Sequence, residues 1–190
     1  MRPNFADPVA ESQRTFRVVL DAVANPGRIF QLVERIDPPL PLHTAAAAIA
    51  LTLVDFETPL WVDVSVGAEA RDWLRFHTGA SIVEHARDAS FALVVDPDRL
   101  PLFDAFALGS DERPERSATL IVQVEDLRPH EGRRLAGPGI AGETRLAVRG
   151  LPAAFWEALH ENHARFPRGV DVLLTAGPRL AALPRTTRVA

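Results

Sequence analysis

The stretch SFALVV at residues 90–95 decides the fold class that this sequence predicts. It is a compact apolar run of strand length, which is typical of a buried β-strand. Two similar runs follow, ATLIVQV at 118–124 and VDVLLT at 170–175, and the second is the last clear strand of the sequence. Weaker strands are predicted at residues 28–35, 60–64, 128–136 and 143–148. The stretch at 128–136 is expected to continue an antiparallel ladder.

Helical patterns lie between these strands. The first helix is expected to begin at DP (7–8), where an acidic cap precedes a proline, and to end at NPG (25–27). Further helices are predicted at residues 44–54, 68–76 and 152–165. Strands and helices that interleave without a repeat or a linker predict an α/β fold. We expect a mixed β-sheet with flanking helices, in a single domain that spans residues 1–190.

Composition excludes several kinds of chemistry. All 21 basic residues are arginine, and the sequence contains neither lysine nor cysteine. A lysine Schiff base, a phosphate-loop lysine, a disulfide and a thiolate nucleophile are therefore impossible in this chain. The net charge of −4 argues against nucleic acid as a general partner. The charged amino terminus lacks an apolar signal segment and no stretch is long enough to span a bilayer, so we expect a soluble, cytoplasmic protein.

The loop GSDERPERSAT at 109–119 is the first candidate site. It combines arginine, hydroxyl groups and backbone N–H groups directly before a predicted strand. Guanidinium groups bind phosphate and carboxylate bidentately, so Arg116, Ser117 and Thr119 are candidates for anion binding. The alternative is a surface turn whose charges pair locally, because charge-rich loops are common on protein surfaces.

The segment NHARFPRGVD at 162–171 is the second candidate. His163 is a candidate acid or base, Asp171 a candidate partner that orients it, and Arg168 a further anion ligand. The alternative is that His163 only satisfies the carboxyl end of a helix. No metal site is expected, because His160 and His163 have no identifiable third ligand. In the tail LPRTTR at 183–188, two arginines and two threonines could bind an anion or a partner subunit, with Arg185 as the main anion candidate and a solvated tail as the alternative.

Taken together, these segments resemble the H subunits (PhnH family) of the carbon–phosphorus lyase system, by which bacteria degrade organophosphonates. The resemblance covers essentially the whole chain. One departure is Asn25, where the family pattern has arginine before Pro-Gly. The matching segments are FRVVLDAVANPG (16–27), LVDFETPLW (53–61), WLRFHTG (73–79), GSDERPERSATLIVQV (109–124), LAGPGI (135–140), NHARFPRGVD (162–171) and LPRTTR (183–188).

The resemblance implies a fold similar to the large domain of pyridoxal-phosphate-dependent transferases, without that cofactor and without an iron–sulfur cluster. It also implies a homodimer in isolation and a core complex with the G, I and J subunits. With G and I, the H subunit is implicated in making α-D-ribose 1-methylphosphonate 5-triphosphate from ATP and methylphosphonate, with release of adenine. The nucleosidase step is attributed mainly to I, and radical cleavage of the carbon–phosphorus bond to J.

Three functions are therefore consistent with the sequence. The first is an accessory subunit that is not catalytic alone and that presents a polar cleft to a phosphate-bearing small molecule. The second is a stand-alone enzyme that acts on a nucleotide or phosphonate through His163 and Asp171. The third is a purely structural interaction subunit.

Overall fold

The computed structural model describes residues 5–33 and 36–190. In this part of the chain four α-helices occur: α1 (Pro8–Ala24), α2 (Thr44–Leu53), α3 (Gly67–Thr78) and α4 (Ala153–Ala164). None of the described helices is long and apolar enough to cross a membrane. The predicted first helix is confirmed at both ends, since the Asp7 side chain accepts from the Ala10 N–H at its start and Asn25 caps its end. The other three helices lie where they were predicted.

Nine strands occur in the described residues. They are β1 (Phe30–Gln31), β2 (Leu60–Val62), β3 (Phe91–Val94), β4 (Thr119–Gln123), β5 (Asp126–Ala136), β6 (Thr144–Arg149), β7 (Asp171–Ala176), β8 (Arg179–Leu183) and β9 (Arg188–Val189). Short 3-10 turns connect several of them, at Val64–Val66, Ala86–Asp88, Pro97–Arg99, Phe103–Ala105 and Pro114–Arg116.

The predicted mixed sheet is confirmed, with six strands in the order β1-β8-β7-β4-β3-β2. The four strands β2, β3, β4 and β7 are parallel, while β8 pairs with β7, and β1 with β8, in antiparallel fashion. Leu93, Ile121 and Leu173 lie side by side across the sheet and point to one face. Because successive side chains alternate, Val94 and its neighbours in register point to the other.

Helices cover one face of this sheet and a smaller sheet with one helix covers the other. On the first face pack α1, α2 and α3, and the alanine-rich α2 is fully buried from Ala45 to Ala50. On the second face pack α4 and a three-stranded antiparallel sheet in the order β6-β5-β9. The small alanine side chains let α2 approach the sheet closely, which accounts for its position in the core.

Several strand predictions were wrong in extent, and two strands near the end of the chain were not predicted. Of residues 28–35 only β1 is a strand, with residues 34–35 outside the described residues, and β2 stops at Val62, where the chain turns into a 3-10 segment. The 128–136 stretch does form an antiparallel ladder as β5, and that ladder belongs to the second sheet. Residues 170–175 are not the last strand, because Gly177-Pro178 turns the chain back into β8 and the tail adds β9.

Arg179, the first residue of β8 after its turn from β7, connects the large sheet to the small one. Its Nη2 donates to Oδ1 of Asp126 at 2.8 Å, and its Nη1 donates to the Leu127 carbonyl at 2.8 Å. Arg128 approaches from within β5, and its Nε donates to the other carboxylate oxygen of Asp126 at 2.8 Å. One carboxylate therefore connects the start of the small sheet to the edge of the large one.

This carboxylate gives stability a specific pH dependence. Hydrogen bonds from Arg128, and then from Arg179, lower the pKa of Asp126 from 3.8 to about 2. A carboxyl whose pKa is lower in the folded state stabilises the fold above its ordinary pKa, and this contribution is lost as pH falls towards the folded value. We expect the Asp126 carboxyl to titrate near pH 2 by NMR, and Asp126→Asn to lose stability at pH 6 but progressively less between pH 4 and pH 2.

The exposed Asp104 provides the matched control, since it has no hydrogen bond or ion pair with any described residue. Asp104→Asn should leave urea unfolding unchanged at both ends of this pH range. Titration of Asp126 near the ordinary carboxyl pKa would contradict its hydrogen bonds to Arg128 and Arg179.

Candidate functional site

Arg185 is the centre of a hydrogen-bond network at the amino-terminal edge of the parallel strands. Its Nε donates to Oδ1 of Asp171 at 3.2 Å, and its Nη2 donates to Oδ2 of the same carboxylate at 2.5 Å. Nη2 also donates to the Ser117 hydroxyl, and Nη1 donates to the carbonyls of Pro114 at 2.8 Å and Pro167 at 3.3 Å. A guanidinium has five N–H donors. All five are engaged, so none is left for a ligand in this arrangement.

This Arg185 network (Pro114, Ser117, Pro167, Asp171 and Arg185) joins three segments that lie far apart in the sequence. They are PERSAT at 114–119, FPRGVD at 166–171 and LPRTTR at 183–188. The expectation of a solvated tail is wrong for Arg185, whose side chain is only 13% exposed. Asp171 does not orient His163 directly, because its carboxylate binds Arg185 instead, including the Arg185 N–H at 2.8 Å.

The remaining anion candidates surround this network on the surface. Arg116 is exposed and has no ion-pair partner among the described residues. Arg168 faces Asp111 at 3.4 Å, and both side chains are more than half exposed. Thr119 begins β4 beside Asp171 and lines a small apolar groove. Backbone N–H groups from 116 to 119 already donate to carbonyls, so anion binding here would depend on Arg116 and Arg168, and it stays a prediction.

His163 lies in the last turn of α4, beside the Arg185 network. Its Nδ1 is 3.3 Å from the Arg185 carbonyl oxygen. A carbonyl oxygen only accepts, so Nδ1 is the nitrogen that donates, and Nε2 is left for other partners. The ring lines a cavity of about 360 Å³ between α4 and the small sheet, together with His160, Arg134 and Arg188. No aspartate or glutamate is hydrogen-bonded to His163 within the described part of the chain.

A second cleft, of about 480 Å³, opens at the opposite edge of the large sheet. It lies at the carboxyl ends of β3 and β4, where open α/β sheets usually bind ligands. Its acidic side chains are Asp96, Asp98 and Glu125, and its floor includes Gln123. This lining favours groups with hydroxyl or amino donors and disfavours phosphate.

None of the predicted site residues lies in this cleft, although the polar residues that directly follow two predicted strands indicate it. Gln123, which lines the cleft, is buried and hydrogen-bonded on two sides. Its Oε1 accepts from the His43 N–H at 2.6 Å, and its Nε2 donates to the Pro41 carbonyl at 3.0 Å. The two bonds fix the loop before α2 against the end of β4.

Asn25 occupies the position where the family pattern has arginine. Its Nδ2 donates to the Asp21 carbonyl at 2.8 Å, and its backbone N–H donates to carbonyls of the last turn. The asparagine therefore satisfies the carboxyl end of α1. The turn that follows packs against LAGPGI, because a Cβ on Gly139 would lie 2.2 Å from the Ala24 carbonyl oxygen.

These features define a three-layer α/β protein in which the three motifs at 114–119, 166–171 and 183–188 meet at Arg185 and two clefts flank the sheet. Comparison with known proteins gives the family. The model of the bacterial phosphonate metabolism protein (PhnH) family matches residues 3–190. The chain belongs to the PhnH family, which confirms the resemblance found from the motifs.

Two curated relatives cover almost the whole chain. One is the α-D-ribose 1-methylphosphonate 5-triphosphate synthase subunit PhnH of Rhizobium meliloti (strain 1021), 42% identical over 186 residues, which are 97% of this chain and 93% of the relative. The other is the putative C-P lyase subunit protein HtxG of Stutzerimonas stutzeri, 34% identical over 177 residues, which are 93% of this chain and 85% of the relative.

Proposed function

We propose that this protein is an accessory subunit of a carbon–phosphorus lyase core complex in organophosphonate catabolism. It supports formation of α-D-ribose 1-methylphosphonate 5-triphosphate from ATP and methylphosphonate and is not catalytic alone. The observation that carries this proposal is the 42% identity, over 97% of the chain, to a subunit of the synthase that makes this compound. ATP is a cytoplasmic metabolite, so the proposed place of action is the cytoplasm.

The arrangement of the candidate residues favours an accessory role over a stand-alone enzyme. General acid–base catalysis by histidine commonly relies on a carboxylate that orients the ring. Asp171, the carboxylate predicted for that task, is engaged by Arg185 instead. We further propose that the chain uses neither pyridoxal phosphate nor an iron–sulfur cluster, because its sequence has no lysine or cysteine to hold them.

A stripe of exposed apolar side chains on α1 supports a role in assembly. Val9, Phe16, Leu20 and Val23 recur at helical spacing and are 39–82% exposed. We name these four residues the α1 apolar face. Contiguous exposed apolar residues mark interaction surfaces in soluble proteins. We propose that this face contacts one of the G, I and J subunits in the core complex, and that the isolated chain forms a homodimer.

Co-purification with tagged G, I and J subunits tests assembly. We expect the wild-type chain to elute with them as one complex, and Leu20→Asp to reduce its yield at least about tenfold, since an ionised group would be buried at the contact. Leu102→Asp is the matched control, because Leu102 is a 70% exposed leucine outside α1. Failure of the wild-type chain to co-purify would contradict the accessory role, and equal yields for both variants would remove the α1 apolar face from the contact.

A further inference from the structure

The cavity beside His163 gathers side chains that can carry positive charge. It lies between α4, which contributes His160 and His163, and the strands β5 and β9 of the small sheet. Its basic lining consists of Arg134, Arg188, His160 and His163, and Glu143 is its single acidic side chain among the lining residues. The chain as a whole carries a net charge of −4, so the cavity is locally richer in basic groups than the protein as a whole.

Strand register places the arginines on one face of the small sheet. Arg134 lies directly opposite Arg145 of β6, and its N–H donates to the carbonyl of Ala190 on the other side. Arg188, two residues before Ala190, is therefore a diagonal neighbour of Arg134, at a typical separation of about 7–8 Å. Like charges directly opposite each other destabilise a sheet, and an anion close to Arg134 and Arg145 would offset that repulsion.

The arginines of this cavity are available to a ligand, in contrast to Arg185. Within the described residues, Arg188 has no carboxylate within 4.0 Å, and the only acidic partner of Arg134 is Glu143 at 4.0 Å, too far for a hydrogen bond. Arg145 donates once, to the Gly132 carbonyl at 3.3 Å. The guanidinium groups of Arg134 and Arg188 are therefore not neutralised by a hydrogen-bonded carboxylate among the described residues.

His163 is held so that one ring nitrogen remains for the cavity. Its Nδ1 donates to the Arg185 carbonyl, and that arginine is fixed by five hydrogen bonds of its own. The position of the ring is thus set before a ligand arrives. Pre-positioned donors lower the entropic cost of binding.

We propose that this cavity, lined by Arg134, Arg188, His160 and His163, binds the phosphate or phosphonate group of a small molecule. Guanidinium groups bind tetrahedral oxyanions bidentately, and the volume of about 360 Å³ is in the range of small-molecule sites. That volume leaves room for more than the bare anion, which favours a phosphate ester or an alkylphosphonate. The preference for these over other oxyanions rests on the proposed function, whereas the anion site itself rests on the cavity.

Titration calorimetry on the isolated chain tests the site, with methylphosphonate and inorganic phosphate as probes at low, fixed ionic strength. We expect saturable binding of at least one probe, and affinity at least about tenfold weaker for Arg134→Gln and for Arg188→Gln, because each removes a charge-assisted contact. Arg87→Gln is the matched control, an exposed arginine with no partner among the described residues and outside the cavity. It should bind like the wild type.

Three results would overturn the proposal: no saturable heat with either probe, wild-type affinity in both cavity variants, or an equal loss in Arg87→Gln. If both cavity variants fail to co-purify with G, I and J yet bind the probes normally, the surface is a protein contact and the anion site is wrong. An active complex whose isolated subunit binds neither probe would refute the anion site and leave the accessory role intact. A chain that binds the probes as expected but never joins the complex would refute the accessory role and leave the anion site intact.

Discussion

Replacing Arg185 by alanine should lower the free energy of unfolding by about 3–5 kcal/mol. The substitution removes five side-chain hydrogen bonds at once and leaves the Asp171 carboxylate, whose side chain is 28% exposed, without its guanidinium partner. Breaking a mostly buried ion pair costs more than an exposed one, because the remaining charge stays poorly solvated. The loss should appear in urea denaturation as a lower midpoint with an unchanged slope.

Two further variants distinguish the contribution of the hydrogen-bond network from the contribution of the positive charge alone. Arg185→Lys keeps the charge but cannot reproduce the planar set of five donors, so we expect only partial recovery. Arg168→Ala removes an arginine of the neighbouring loop. Its ion pair with Asp111, at 3.4 Å, is exposed to solvent, so the substitution should lower the free energy of unfolding by less than about 1 kcal/mol. Similar losses for Arg185→Ala and Arg168→Ala would refute the structural role of the Arg185 network.

Asn162→Ala should cost about 2–4 kcal/mol, for a different reason. The Asn162 side chain is buried, and its amide forms two hydrogen bonds with one residue. Its Nδ2 donates to the Val170 carbonyl at 2.9 Å, and its Oδ1 accepts from the Val170 N–H at 2.9 Å. Val170 is fully buried, so alanine would leave both of its backbone groups without a partner.

Glu157→Ala on the exposed side of the same helix is the control for Asn162, and its effect should stay within about 0.5 kcal/mol. Gly169 adds an independent check, since a Cβ there would lie 2.6 Å from Oδ1 of Asn162 at a φ of +132°. Gly169→Ala should therefore destabilise the same segment. Wild-type stability of Asn162→Ala would show that residues 162–170 are not held by these two bonds.

The helices and the central strands were predictable because their signals are local. Asp7-Pro8 and Asn25-Pro26-Gly27 end α1 through side-chain and backbone chemistry that acts within one turn. The apolar runs that became β3, β4 and β7 are long enough to define buried strands without knowledge of their partners. Family membership followed from the order of short motifs along the chain.

The remaining strands were less predictable because their stability comes from distant partners. β8 contains Leu180-Ala181-Ala182, and alanine has little intrinsic strand preference, so its pairing with β7 decides its conformation. β5 is exposed over most of its length, with a register shift between Pro129 and Arg133. Nothing local assigns it to a second sheet.

The candidate site was predicted in part. Ser117, Asp171 and Arg185 do lie together, but the motifs could not show that the arginine donates all its N–H groups to the protein itself. Arg188 belongs to the tail motif whose arginines were anion candidates, but Arg134 went unnoticed, because strand register and not sequence spacing brings it near His163. Predictions of anion binding therefore move from the motif at residues 114–119 towards the cavity beside α4.

The most direct test of the accessory role is adenine release from ATP plus methylphosphonate in a reconstituted mixture. We expect G, I and J with this chain to release adenine, the same mixture without it to lose most of that activity, and the isolated chain to release none. Adenine release by the isolated chain, or an undiminished rate when it is omitted, would contradict the account.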